Sequence, residues 1–196
     1  MKQLEEFILE KLKISKVETK YRPKSKEELI DIINKEIEVK GSDCSLNHIN
    51  VSNIENMSDL FYRSDFNGDI SEWDVSSVKD MRGMFCNSNF NGDISNWDVS
   101  NVEKMGRMFY GSKFNGDISN WDVSNVRDMF SMFYGSNFNG DISNWDVSGV
   151  EDMGYMFAYS KFNGNISDWD VSNDTDTECM FLRSKFTGDI SKWYHK

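Results

Sequence analysis

Read for apolar and polar positions alone, the chain repeats itself. Ile70, Trp73, Val75, Val78, Met81, Met84 and Phe85 are followed 24 residues later by Ile94, Trp97, Val99, Val102, Met105, Met108 and Phe109, and the series runs on toward the C-terminus. Residues 90–102 and 114–126 both read FNGDISNWDVSNV. Trp73, Trp97, Trp121, Trp145, Trp169 and Trp193 keep the 24-residue step and are all the tryptophans of the chain, which marks them as the expected structural core. Phe66, Phe90, Phe114, Phe138, Phe162 and Phe186 follow the same step. Every methionine except Met1 falls at the phase of Met57 or at that of Met84. A period of this length is the mark of stacked units, in which one unit cannot bury its apolar face and its neighbours bury it instead.

Within a unit two spacings alternate. Trp97 and Val99 lie two apart, the strand period. Val102, Met105, Met108 and Phe109 fall at i, i+3, i+6 and i+7, one face of a short helix, with Ser100 and Asn101 as N-cap candidates. Asn91-Gly92 reads as a turn in which glycine supplies positive φ. The expected fold class is therefore α/β: a right-handed repeat solenoid of about seven strand–turn–short-helix coils. Its first coil begins near Ser42, with Ile49 at the Trp position and Leu60 at the second Met position. In the last full copy Asp174 and Thr177 replace the Val and the first Met, as suits a terminal unit with one neighbour.

Residues 1–41 do not repeat. Leu4, Phe7, Ile8 and Leu12 mark an amphipathic helix, a possible docking segment over 1–14. Ser25-x-x-Glu28 before Leu29, Ile30, Ile32 and Ile33 reads as a capping box opening a second helix over 25–38, expected to cap the first coil. The domain reading is a helical segment at 1–41 and a solenoid at 42–196.

Charge divides along the same line. Residues 1–41 hold ten Lys/Arg against nine Asp/Glu, whereas 42–196 hold twelve against 24. Nucleic acid and anionic membranes need a basic face, so direct binding to either is not expected of the repeats. No apolar run approaches a membrane span and the N-terminus lacks a cleavage site, so an intracellular protein is expected. Cys44, Cys86 and Cys179 show no CxxC spacing and read as reduced thiols.

The run I-x-x-W-x-V-x-x-V occupies the places of the leucine-rich-repeat frame, and FNGDISNWDVSNVRDMFSMF resembles the repeats of the BspA-like leucine-rich-repeat group of bacterial surface proteins. The resemblance spans 42–196. It implies a leucine-rich-repeat-like coil and a non-enzymatic, protein-adhesive role.

An Asp stands beside every Trp but the last. With Trp97 and Val99 inward on a strand, Asp98 points outward, and stacking sets Asp74, Asp98, Asp122, Asp146 and Asp170 in a row. A second row, Asp69, Asp93, Asp117, Asp141 and Asp189, is interrupted by Asn165. Like charges about 5 Å apart in water repel by about 0.8 kcal/mol, so something must compensate. Three readings stay open: acids capping turn backbone, an acidic surface for a basic partner, or a calcium site, for which the G-G-x-G-x-D signature is absent. Catalysis has little support, since His48 and His195 have no partner the sequence can identify and a ladder of carboxylates has no singular member. The expected function is a non-enzymatic protein-binding scaffold without cofactor or metal, monomeric or weakly oligomeric. It would use the Asp row and the coil-to-coil variable residues Arg82, Arg107, Tyr110, Phe130, Tyr134 and Tyr155 toward a protein with a basic surface. The alternatives are an acidic decoy for a nucleic-acid-binding protein and a spacer presenting the N-terminal helix.

Overall fold

The computed structural model describes residues 19–194. Its regular elements are one α-helix, α1 (Lys26–Lys40), and one 3₁₀ turn, Ser191–Tyr194. Among the described residues there is no β-strand. Contacts between repeats are isolated parallel bridges, Asn56 to Asp80, Asp80 to Lys104, Lys104 to Asp128, Asp128 to Asp152 and Asp152 to Asp176. The α/β repeat solenoid of strand–turn–helix units, leucine-rich-repeat-like in its coil, is therefore not what this chain forms. Its repeats are loops and tight turns stacked one on another.

The reason lies in where the backbone donors go, since a buried N–H must find a partner. Within one repeat Trp73 donates to Ile70, Val78 to Val75, Met84 to Met81, Cys86 to Gly83 and Ser88 to Phe85, at 2.9–3.2 Å. Those bonds close i→i+3 turns. The intervening donors Met81, Gly83, Phe85 and Asn87 leave the turn and reach the carbonyls of Lys104, Gly106, Met108 and Tyr110 in the next repeat, at 2.7–3.0 Å. The three-residue apolar spacing that reads as a helix is thus a string of turns, with the ends of each turn in the core. Continued helix is blocked because the backbone enters the left-handed region twice per repeat. One position is that of Asp59, Gly83, Arg107, Ser131, Tyr155 and Cys179; the other, four residues on, is that of Arg63, Asn87, Gly111, Gly135, Tyr159 and Arg183, with φ between 52 and 62° throughout. A left-handed residue with a side chain costs about 1–2 kcal/mol, so the stacking must offset it. The same excursions prevent an extended strand.

The Asn-Gly turns are also built differently from expectation. Gly92 is not among the residues of positive φ. A Cβ there would lie 2.8 Å from the Phe90 ring and 3.2 Å from the Gly68 carbonyl, so glycine is needed for close approach. Beside it runs a side-chain ladder. Asn67 Oδ1 accepts the Asn91 N–H, Asn91 that of Asn115, Asn115 that of Asn139 and Asn139 that of Asn163, each at 2.7 Å.

A single core cluster runs from Leu29 to Trp193. Phe61, Phe85, Phe109, Phe133 and Phe157 stack face to face at 5.5–5.7 Å between successive ring centres. The six tryptophans form a neighbouring column, each 3–4 % exposed. Each indole Nε1–H donates to a carbonyl of the preceding repeat 27 residues back, as Trp121 does to Ile94 at 3.1 Å, which satisfies the one polar atom that burial would orphan. The methionines at both phases fill the space between.

At the N-terminal end α1 begins at Ser25, whose Oγ accepts the Glu28 N–H at 3.2 Å, while Glu28 Oε2 accepts the Lys24 N–H at 2.7 Å. It runs two residues past the expected end and stops at Gly41, at φ 89°. Leu29 and Ile33 are buried in the common core, and Tyr21 bridges Ile49 of the first repeat. Glu36, nearly buried, ties these pieces together. It accepts from Lys20 Nζ at 3.0 Å, from Tyr21 Oη at 2.8 Å and from Lys40, with His48 Nε2 at 3.0 Å. Burial works to raise its pKa, but the bonds from Lys40, Tyr21 and Lys20 and the charge of His48 outweigh it and hold it at about 2. The helix expected over 1–14 lies outside the described residues.

Three substitutions test this construction. Gly135 has φ 61° with open space where a Cβ would sit, so Gly135→Ala isolates the left-handed penalty and should lower the unfolding free energy in urea by about 1–2 kcal/mol. Gly92→Ala should lower it by about 1–3 kcal/mol through overpacking against Phe90, and a neutral result would refute the close-approach account. For Glu36 the folded pKa lies below the ordinary value of 4.5, so its contribution is complete above that pH and is lost as pH falls toward about 2. Glu36→Gln should be less stable than the parent at pH 7, and the gap between the two should narrow across that window in a series of thermal melts.

Candidate recognition surface

The acidic rows are explained first by turns. Asp69, Asp93, Asp117, Asp141 and Asp189 each accept, through Oδ1, the N–H of the serine two residues on, at 2.9–3.0 Å. Asn165, the interruption in that row, does the same for Ser167 at 3.1 Å. Asp74, Asp98, Asp122 and Asp146 accept both the N–H of Ser76, Ser100, Ser124 and Ser148, at 3.1–3.2 Å, and the hydroxyl, at 2.6 Å. Asp170 is exposed like the rest of its row. A third row was not anticipated: Asp80, Asp128, Asp152 and Asp176 accept from the N–H groups of Arg82, Phe130, Gly154 and Glu178 at 2.8–3.0 Å. These acids precede the Ile-to-Trp, Val-to-Val and Met-to-Met turns and cap them as an N-cap does a helix, with Lys104 interrupting the third row.

Those bonds set the acidities. The Ser100 hydroxyl and N–H hold Asp98 below the usual carboxylate range, and Ser148 does so for Asp146. The Ser95, Ser119 and Ser143 N–H groups, then their hydroxyls, lower Asp93, Asp117 and Asp141. Asp152 moves the other way, raised by burial and then by the charges of Asp128 and Asp176 on either side.

The variable residues gather elsewhere. Arg82, Arg107 and Phe130 line a groove of about 450 Å³ together with Asp59, Tyr62, Cys86 and Asp128. Arg82 is held by a forked contact to Asp80, with Nη2 2.6 Å from Oδ2. The Arg107 guanidinium lies over the Phe130 ring at 5.5 Å, and Tyr155 meets Phe130 edge-on at 6.0 Å. Beyond the groove Tyr110 and Tyr134 stack with parallel rings at 4.6 Å, Tyr159 leans on Tyr134 at 5.3 Å, and Arg183 covers Tyr159 at 5.8 Å. Tyr62 and Tyr159 are 47 and 44 % exposed, the two most exposed rings among the described residues. The surface is thus a strip of tyrosine and arginine whose members sit at or beside the left-handed positions.

The structure therefore brings Arg82, Arg107, Phe130 and Tyr155 together and stacks Tyr110 on Tyr134. The row from Asp74 to Asp170 does not line the groove. Tyr62, Asp59, Asp128 and Tyr159 were not anticipated. Tyr62 shares the phase of Tyr110 and Tyr134 and was legible in the repeat; Tyr159 stands one place on, at the phase of Gly111 and Gly135, where the neighbouring repeats carry no ring. Among the described residues no group of three or more His, Cys, Asp or Glu is placed to hold a metal ion, and no helix is long and apolar enough to cross a membrane. His48 is engaged by Glu36, and His195 lies outside the described residues.

The family described as Mycoplasma protein of unknown function, DUF285, matches residues 32–137 and again 111–196. No curated protein and no solved structure matches the chain.

The capping account of the acids predicts an asymmetry at Asp122. Asp122→Ala leaves the Ser124 N–H without its acceptor and should cost about 1–2 kcal/mol in urea unfolding. Asp122→Asn keeps an Oδ1 acceptor, as Asn165 shows in the adjacent row, and should cost about half of that or less. Equal effects of the two substitutions would refute capping as the role of this row.

Proposed function

The chain belongs to the DUF285 family of Mycoplasma proteins of unknown function, and from that premise we propose that it is a non-enzymatic protein-binding scaffold. The observation that carries this reading is the strip of Tyr62, Arg107, Tyr110, Phe130, Tyr134 and Tyr159. The core and the turns repeat at every 24 residues, while this face varies from repeat to repeat and carries the residue types favoured as binding hot spots. Arg82 and Arg107 beside Asp59 and Asp128 add directional polar contacts to an apolar floor. The resemblance to BspA-like surface-protein repeats supports the same class.

The partner presents a basic surface. Residues 42–196 carry an excess of acid, 24 Asp/Glu against twelve Lys/Arg, which draws a cationic protein in and sets its approach rate. Specificity then rests on the strip, because the Asp98 row offers the same group at each step.

Retention of proteins from a cell extract by the immobilised chain tests this. The double substitution Tyr110→Ala with Tyr134→Ala should leave the melting temperature within a few degrees of the parent and weaken the retained partner by about tenfold or more. Retention that survives this change and also survives Arg107→Glu would overturn the assignment of the strip. The triple change Asp98→Asn, Asp122→Asn and Asp146→Asn should slow association at low salt and leave dissociation unchanged.

A further inference from the structure

The groove of about 450 Å³ exists because three small residues stand where neighbouring repeats carry large ones. Gly83 lies between Asp59 and Arg107 at one phase, Cys86 between Tyr62 and Tyr110 at a second, and Gly106 between Arg82 and Phe130 at a third. The gap lies within the stack and spans four repeats, with Tyr62 from the first of them and Phe130 from the last. Two carboxylates lean into it from opposite directions. Asp59 Oδ1 lies against Gly83, where a Cβ would collide with it. Asp128 lies against Gly106, where a Cβ would be 2.7 and 2.9 Å from its two oxygens.

The guanidinium groups of the groove are already engaged. Arg82 is forked onto Asp80, and Arg107 lies over the Phe130 ring. The hydrogen bond and charge of Asp80 raise the Arg82 pKa, and the charges of Asp128 and Asp59 add to that, so both acids face the same part of the groove. Neither is used up as the turn-capping acids are. Asp59 is exposed, and its carboxylate accepts no hydrogen bond among the described residues. Asp128 gives Oδ1 to the Phe130 N–H at 2.9 Å and keeps Oδ2.

We propose that this groove is the docking site for arginine side chains of a basic segment on the partner, whose guanidinium groups pair with the free oxygens of Asp59 and Asp128 between the rings of Tyr62 and Phe130. This rests on the reading of the chain as a protein-binding scaffold and names the group that its groove takes. The free oxygens select a cation. Geometry selects guanidinium over ammonium, since a planar fork can pair with a carboxylate and lie on an aromatic ring at once. The chain shows both contacts on this face. Arg82 on Asp80 is the forked pair; Arg63 on Tyr62, Arg107 on Phe130 and Arg183 on Tyr159 are the ring pairs, at 5.2–5.8 Å. Residues 1–18 and 195–196, outside the described part, hold lysine and no arginine, so they do not supply the group.

The probe is the peptide acetyl-Gly-Arg-Gly-Arg-Gly-amide, titrated into the full chain and followed through the amide NMR signals of Gly83, Cys86 and Gly106. Those signals should shift saturably, while the repeat around Trp169 stays unmoved. The same peptide with citrulline, which keeps the shape and loses the charge, should leave them in place, and the lysine version should bind at least about threefold more weakly. Asp59 has φ 55°, which Asn tolerates, and its carboxylate caps nothing, so Asp59→Asn should melt with the parent and weaken the arginine peptide by about threefold or more. Asp98→Asn, in the outward row, should leave that affinity nearly unchanged. The proposal is overturned if the citrulline or lysine peptide binds as tightly as the arginine one, if Asp98→Asn weakens binding as much as Asp59→Asn, or if the three signals stay unmoved with peptide in excess. It is also overturned if they shift with rising protein concentration alone, which would make a second copy the occupant. Retention from a cell extract is read separately: its loss with the titration intact overturns the scaffold reading and not the preference of the groove for arginine.

Discussion

The hydrogen bond from one repeat's N–H to the next repeat's carbonyl, taken at every second residue from Met81 to Asn87, is the constraint on which the other features depend. A turn closed by an i→i+3 bond satisfies only part of its backbone, so a single repeat would leave a row of buried donors unpaired, each costing about 1–3 kcal/mol. Stacking resolves that, and it also holds Arg107, Ser131 and Tyr155 in a left-handed conformation that a free chain would avoid. Stability is then shared between neighbours and falls off at an end, as in other stacked repeat proteins. The loss of burial at Phe181 and Ile190 is the local expression of this.

The same constraint accounts for the acidity. Every turn that opens a new direction needs an acceptor for its second N–H, and a short carboxylate placed just before the turn provides one. With three such turns per repeat and six to seven stacked repeats, negative charge accumulates as a consequence of backbone geometry. Asn165 makes the same bond without the charge, so the charge is not required for capping at each site. On the proposed function, a ladder of this kind would attract cationic partners without distinguishing them, and discrimination would reside where the repeat varies, at Tyr110, Phe130, Tyr155 and their neighbours.

The register of this fold was legible in the sequence, and its local conformation was not. The 24-residue step of Trp and Phe identified the columns. The conformations went wrong for one physical reason. Apolar residues at i and i+3 suit both a helix and a chain of turns, and only the left-handed residues between them decide, at positions that here hold Asp, Arg, Ser, Tyr and Cys as well as Gly. Gly83, Gly111, Gly135, Asn87 and Asp59 are types that favour positive φ, but the Arg, Ser, Tyr and Cys at the same phases do not announce it. The glycine that did attract such a reading, Gly92, is there because Phe90 lies beneath it. The Ser25 capping box was read within two residues of the helix end, since a helix carries its own local signal. The groove around Phe130 lay partly beyond reach, because Asp59, Tyr62 and Asp128 join the variable residues there only once the repeats are stacked.

Left-handed residues and variable surface coincide for a reason that links fold to function. Most non-glycine residues at positive φ lie outside the core: Arg63, Asn87, Arg107, Tyr159, Cys179 and Arg183 are exposed, and Ser131 is the buried exception. Arg107 and Tyr159 project from such positions, and Phe130 and Tyr134 flank others, so the strip is assembled from places the fold leaves undetermined. Along the strip the rings stand 4.6 Å apart at Tyr110–Tyr134, 5.3 Å at Tyr134–Tyr159 and 6.0 Å at Phe130–Tyr155. On the proposed function, a partner would meet these side chains on a support fixed by the stack, with little conformational entropy left to lose on engagement. The surface arises from one arrangement: a repeat that cannot satisfy itself, and that displays outward what its neighbours do not use.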